Sequence, residues 1–537
     1  MKNIKYIAIM ALGLVACEPE LDNSVEDSGT YSSGTADFST FVTIGNSLTA
    51  GYADGTVYLE GQKNSYPNIL AEKFSFVGGG EFTQPLVSDN IGGLTLDGNT
   101  ALPGFDPRFV LTGNPLGPAR LTDTPTTNVS NILTGPFNNV GVPGAKSFHL
   151  VTPDYGNISG LSTGTANPYF VRMASSPSAT MLADAMAQDP TFFSLWIGNN
   201  DILSYATSGG VGVDQTGNTN PATYGFNDIT DPGVFHLTYD GLLNGMTANG
   251  AKGVVMNIPT VTSIPYFTTV PHAPLSPLNP DFGPLIPTLN GIFGQINNVF
   301  AFLGVPERSI VFSQTAASAV VIKDDTITDL SAQMTAVFNA SPTFVPFVQS
   351  LGLPAAAAPL VANLLGATYG QARQATADDL LVLTSQTVIG NVNQDVKAAL
   401  EAQGLPEAMA EQFATDGITN PLADQWVLAK NEVDMVITAQ TAYNNSIAML
   451  AAANDNVILV DVNAAMNQLA NGGIAYDGGM ITSEFVSGGG FSLDGVHPTA
   501  RGYAVISNII LKRINEEFDA TIPAVNPADY PSVYFGD

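Results

Sequence analysis

The chain is poor in the residues that build several common kinds of site. It has one cysteine, Cys17, in 537 residues, so no disulfide can close within it and no multi-cysteine zinc site is available. It has four histidines, His149, His236, His272 and His497. No two of them fall at the short or helical spacings of a metal-ligand pair, so no metal is expected. Basic residues number 17 against 47 acidic ones, a formal net charge of −30. So acidic a surface repels nucleic acid and anionic lipid, and no basic stripe offsets it. It fits an extracellular or salt-exposed life and says nothing of fold. Charged residues make up only 12 % and hydrophobic ones 45 %, which excludes a disordered chain. No Gly-rich phosphate loop stands out. The two tryptophans leave little for a carbohydrate-stacking platform. No apolar run approaches the roughly 20 residues of a spanning helix.

What is present begins at the N-terminus. Lys2 and Lys5 precede the apolar run "IAIMALGLVA", which leads into Cys17. A basic start, a short apolar stretch and small residues at the cut describe a secretory signal, expected over 1–16. "LVAC" resembles the bacterial lipobox, which implies removal of the signal and lipidation of Cys17. A sole cysteine at the cut fits lipidation, and the lipid chains would tether the protein to a membrane. The acidic, Ser/Gly-rich residues 17–37 read as a flexible tether. Their first acidic cluster resembles the surface-export signal of bacterial lipoproteins. The expectation is an outer-membrane lipoprotein of a bacterial cell envelope, exposed at the surface.

Five short segments read as buried parallel strands, apolar and ended by turn signals: 40–44, 138–142, 192–198, 253–258 and 457–462. Helical patterns alternate with them. This rhythm predicts an α/β sandwich, whose ligands bind at the carboxyl ends of the strands. Two stretches interrupt it. Residues 80–137 are rich in Gly, Pro, Asn and Thr. Residues 271–425 form a long, mainly helical insertion containing "PAAAAPLVANLLGA", where Pro354 and Pro359 make a poor membrane span. That apolar run reads as ordinary helix packing, with a lid or acyl-binding wall as the sharper alternative. The main domain is expected over 38–520 and a C-terminal tail over 521–537.

Four elements with chemistry fall at strand ends or before the last helix: "GNSL" with Ser47, "NVGVPGAKS" with Gly144, "GNND" with Asn200, and "DGVHP" with Asp494 and His497. Acyl transfer needs such a set. A serine hydroxyl requires a base during attack, and a carboxylate three residues from a histidine can orient the imidazole. The developing oxyanion requires preorganised donors, available from the N–H groups of Ser47 and Gly144 and the amide of Asn200. Each part has an ordinary alternative: a helix cap for Ser47, turns for Gly144 and "GNND", and a turn before a proline-opened helix for Asp494 and His497. The case rests on their conjunction. His149 follows the Gly144 segment and reads as a packing residue. "GLSTG", 160–164, matches the nucleophile-elbow pattern, but no buried strand precedes it and Pro168 follows, which disfavours Ser162.

These blocks resemble those of the SGNH hydrolases, the GDSL-type lipase and esterase family, over 38–205, about 230–270 and about 430–516. The resemblance implies a three-layer α/β/α sandwich around a five-stranded parallel sheet, flavodoxin-like in type. It also implies a Ser47–His497–Asp494 triad, an oxyanion hole of Ser47, Gly144 and Asn200, no cofactor, and an ester substrate of lipid, glycan or small-molecule class. Asn46 departs from the family's usual Asp before the serine, which puts in question the support behind the serine turn. Two alternatives stay open: a carbohydrate O-deacetylase of the same fold, and a non-catalytic surface module binding glycan or lipid.

Overall fold

The computed structural model describes residues 31–98 and 100–536. The expected signal segment, Cys17 and most of the expected tether lie outside the described residues.

The five predicted strands form one parallel sheet. They are β1 (Phe41–Gly45), β2 (Asn139–Gly141), β3 (Phe192–Trp196), β4 (Lys252–Met256) and β5 (Val457–Val460). Their spatial order is 2-1-3-4-5, and every pairing is parallel. In register, Ile44 of β1 lies between Val140 of β2 and Leu195 of β3. This order places a topological switch point between β1 and β3, where the connections leave in opposite directions and open a crevice at the strand ends.

Seven helices matter for the site: α1 (Ser47–Ala50), α2 (Tyr66–Phe74), α3 (Asn200–Thr207), α4 (Pro232–Thr247), α5 (Lys430–Ala452), α6 (Val462–Gly472) and α7 (Ala500–Phe518). Strand residues alternate between the two faces of the sheet. Val42, Ile44, Phe193, Leu195 and Val255 pack with Phe235 and Tyr239 of α4 and Val436, Tyr443 and Ile447 of α5. Phe41, Phe192, Val254, Met256 and Ile458 pack on the other side with Tyr66, Leu70 and Phe74 of α2 and Tyr503, Ile510 and Ile514 of α7. Helices thus cover both faces. The sequence sets this by period: the buried positions of α5 recur at 432, 436, 439, 443 and 447, a stripe three or four residues apart. Truncating Ile447 to alanine costs about 2–5 kcal/mol.

The 271–425 insertion encloses a core of its own. Phe293, Ile296 and Phe300 of one helix (Ile286–Phe302) meet Met334 and Phe338 of a second (Ser331–Ala340) and Val361, Leu365 and Tyr369 of a third (Ala358–Tyr369). The alanine-rich run therefore packs inward. Among the described residues no single helix is long and apolar enough to cross a membrane. One pair, Phe344–Ser350 with Ala355–Tyr369, reaches that length and composition only across a 116° bend. Arg373 holds two carboxylates within the insertion, and one of them, Asp379, reaches the main domain. It binds Asp324 at 2.7 Å and Asp379 at 2.7 Å, and Asp379 also accepts the N–H of Lys430 at the start of α5. Both carboxylates are buried, so losing Arg373 costs about 3–5 kcal/mol by stranding them.

The folded unit reaches past the boundaries read from the sequence at both ends. Ser32 and Thr521 exchange hydrogen bonds, and Thr35 N–H donates to Phe518 O. The tail packs back as well. Ile522 and Val525 are buried beside α7, and Leu111 pairs with the backbone of Tyr534 and Gly536.

Candidate active site

β1 ends at Gly45 because the chain must turn sharply there. A Cβ on Gly45 would lie 2.4 Å from Trp196 O and 2.3 Å from Thr49 Oγ1. Asn46 then caps α1: its Oδ1 accepts the N–H of Leu48 at 3.0 Å. Ser47, the first residue of α1, has an N–H that meets no acceptor among the described residues, as is usual in the first turn of a helix. Its Oγ lies 2.9 Å from His497 Nε2, although the two residues are 450 positions apart.

His497 arrives from the turn before α7. Its Nδ1 lies 2.9 Å from Asp494 Oδ2. An ionised carboxylate only accepts, so Nδ1 carries the proton and Nε2 is left to accept the Ser47 hydroxyl. Asp494 is held by further donors. Oδ1 accepts Val496 N–H and His497 N–H, both at 2.8 Å, and Ser492 Oγ at 3.1 Å, and Oδ2 accepts Gly55 N–H at 3.0 Å. Burial works to raise the Asp494 pKa. The His497 ring and these N–H donors outweigh it and bring the carboxyl down to about 2. Asp54 braces the same turn, with Oδ1 accepting Leu493 N–H and Oδ2 accepting Tyr58 OH. The Tyr52 ring lies against His497, centroids 4.4 Å apart.

The predicted donors line one cleft with Ser47. Gly144 follows β2 with φ +81°, a left-handed conformation that glycine adopts freely, and its N–H meets no acceptor among the described residues. Asn167 Nδ2 fixes this loop through Pro143 O at 2.7 Å. Asn200 opens α3 after β3. One hydrogen of its amide goes to Ala145 O at 2.9 Å, which ties the amide to the Gly144 loop and leaves its second hydrogen for the cleft. Asp201, fully buried, accepts both Ser147 N–H and Ser147 Oγ. The ends of β2 and β3 are thereby locked together.

The remaining candidates lie apart from this group. Ser162 is exposed on a 3-10 turn (Ile158–Thr163), with no hydrogen bond to a base. His149 accepts Lys146 N–H and stacks on Tyr155, centroids 4.4 Å apart. Burial, reinforced by Lys146, pushes its pKa down to about 3, so it packs as a neutral ring. His236 sits on α4, and His272 lies at the start of the insertion.

Three features escape a reading of spacing alone. The first is the bond from Asn46 Nδ2 to Asn199 Oδ1 at 3.0 Å, which crosses from β1 to β3. The only signal for it in the sequence is the asparagine standing at position 46. The second is the pair of cavities that meet at Ser47 and His497. One is a wide cleft of about 590 Å3, open to solvent and edged by Arg120, Tyr266 and Thr384. The other is narrower, about 110 Å3, and almost entirely apolar. The third is a trio of carboxylates at the base of the insertion, Asp325, Asp424 and Glu432, with oxygens within 4.8 Å of one another. Burial raises Glu432 to about 8 and Asp424 to about 6; the neighbouring carboxylates add to both. This trio lines neither cavity at Ser47.

Against family models, curated proteins and solved structures, the chain finds no match.

Proposed function

We propose that this protein hydrolyses carboxylic esters through a serine nucleophile, in the manner of the SGNH hydrolases, as an exported lipoprotein anchored through Cys17. The observation that carries the reading is the continuous chain of contacts Ser47 Oγ–His497 Nε2 and His497 Nδ1–Asp494 Oδ2, each 2.9 Å long. In this mechanism Ser47 Oγ attacks the ester carbonyl while Nε2 takes its proton. The C–O bond to the alcohol breaks and His497 returns the proton to the leaving oxygen. Water then attacks the acyl-serine by the same route, releasing the acid and restoring Ser47. The oxyanion of both tetrahedral intermediates is met by the N–H groups of Ser47 and Gly144 and the amide of Asn200. Asp494 stays ionised throughout, because its donors favour the charged form.

Support also comes from the placement of these groups in the sheet. Ser47, Gly144 and Asn200 stand at the carboxyl ends of β1, β2 and β3, around the switch point where such sheets bind ligands, and the turn before α7 brings Asp494 and His497 to them.

The test is a panel of acyl esters of graded chain length and acetylated sugars, offered to the protein and to Ser47→Ala. Ester turnover that the substitution abolishes is the expected result. Equal activity in the variant removes Ser47 from the chemistry, and no turnover by either favours a binding module.

A further inference from the structure

The two cavities at Ser47 differ in what they can solvate. The narrow one is walled by Leu48 of α1, Val462, Met466 and Leu469 of α6, and Val505 and Ile509 of α7. Among the described residues, the only polar side-chain atom lining it apart from those of Ser47, Asn199 and His497 is Trp196 Nε1, which already donates to Asn257 O at 3.2 Å. A sugar hydroxyl placed there would lose its water and gain no partner. A methylene chain would lose nothing. Protein interiors rarely leave such space unfilled, and this space opens on the candidate nucleophile. The wide cleft is mixed: Phe105, Phe109 and Phe226 line it beside Arg120, Asn167, Asn227 and Thr384, so it offers polar partners that the narrow cavity lacks.

An ester has two arms, and their order of departure assigns them. The alcohol leaves first and water must replace it, which suits the open cleft. The acyl arm stays bound to serine until the second step, which suits the narrower, apolar one. We infer that the apolar cavity between α6 and α7 holds the acyl chain of a medium- or long-chain fatty ester, whose polar alcohol lies in the open cleft. This rests on the hydrolase reading above and narrows it to fatty acyl substrates. The acyl wall belongs to the last two helices of the main domain, rather than to the alanine-rich insertion where the sequence places its candidate wall.

Ala465 of α6 lines this cavity and is only partly buried, so a larger side chain there grows into the space for the acyl chain. The experiment compares kcat/KM for p-nitrophenyl acetate, butyrate, octanoate and palmitate in the protein and in Ala465→Phe. Each methylene that enters the cavity raises kcat/KM about fourfold, the equivalent of ~0.8 kcal/mol, until the cavity is full. Ala465→Phe lowers the octanoate-to-acetate ratio by about tenfold or more. A flat chain-length profile overturns the acyl site while leaving the serine chemistry intact, as does a ratio unmoved by Ala465→Phe. Absence of any Ser47-dependent turnover overturns the hydrolase reading itself. Should Ala465→Phe fail to fold, displacement of cis-parinaric acid from Ser47→Ala by octanoate decides: displacement supports the site, and none overturns it.

Discussion

Asn46 Nδ2 donates to Asn199 Oδ1 across the ends of β1 and β3, while Asn46 Oδ1 caps the helix that Ser47 begins. One amide therefore uses both its ends, one to hold the serine turn and one to hold the loop that carries Asn200. An aspartate at 46 keeps the cap and loses the donor, unless Asn199 turns its own amide around to donate instead. Asn46→Asp is thus expected to remain folded with a modest loss of kcat. Asn46→Ala loses both bonds and costs about 1–3 kcal/mol of stability. Asn46→Asp combined with Asn199→Asp sets two carboxylates against each other and is expected to be the least stable of the three. Thermal unfolding with ester kinetics checks the order. Equal stability of the single and double aspartate variants would remove the Asn46–Asn199 bond from the account.

Asn200 has one amide hydrogen committed to Ala145 O and the other available to an oxyanion. Asn200→Ala is expected to lower kcat by about a hundredfold to a thousandfold, with KM little changed, since the donor acts on charge that develops in the transition state. An effect confined to KM would make Asn200 a substrate-binding group instead.

Asp494 is held to about pKa 2 in the folded protein, against an ordinary value of 3.8. A depressed carboxyl contributes stability that is present above about pH 4 and is lost as pH falls towards 2. Asp494→Asn removes that contribution and gives His497 no fixed acceptor at Nδ1, so kcat is expected to fall by about a hundredfold to ten-thousandfold. Acid titration of unfolding in the two proteins shows the first effect and steady-state kinetics the second. A variant as active as the parent would mean that His497 needs no orienting carboxylate.

The carboxylate trio works in the other direction. Glu432 is raised to about 8 from 4.5 and Asp424 to about 6 from 3.8. The folded protein then holds protons that the unfolded chain has already released. Stability from these groups is full below about pH 4 and declines as pH rises through 6 and 8. Glu432→Gln keeps an acceptor for Ala429 N–H, whose present partner is Glu432 Oε2 at 2.7 Å, and carries no charge. Its melting temperature is expected to exceed the parent's at pH 8 and to converge with it near pH 4. A variant less stable than the parent at pH 8 would contradict this.

The sheet is legible in the sequence because each strand is a short apolar run closed by a turn signal, and parallel strands buried on both faces look that way. The candidate site is legible for a different reason: the turn chemistry around Ser47, Gly144, Asn200 and His497 leaves local marks at each position. The partner of Asn46 is not legible, because Asn199 comes beside it only once β1 and β3 are neighbours. The apolar cavity is hidden more deeply still. Leu48, Val462 and Val505 each look like ordinary core positions, and nothing in a linear pattern marks where packing stops short. The insertion's apolar runs are plain to see, but its core joins helices far apart in the chain, so its inward packing emerges only in three dimensions. The order of residues 32–36 and 521–536 is not legible either, because it comes from pairing between segments far apart in the chain, Ser32 with Thr521 and Leu111 with Tyr534 and Gly536.

The most direct measurement is reaction of the folded protein with a fluorophosphonate, followed by peptide mapping. A covalent adduct on Ser47 is expected, with loss of ester hydrolysis in step with labelling, no adduct in Ser47→Ala and much slower labelling in His497→Ala. Labelling of a different serine such as Ser162, undiminished in Ser47→Ala, or ester hydrolysis that survives full modification of Ser47, would contradict it.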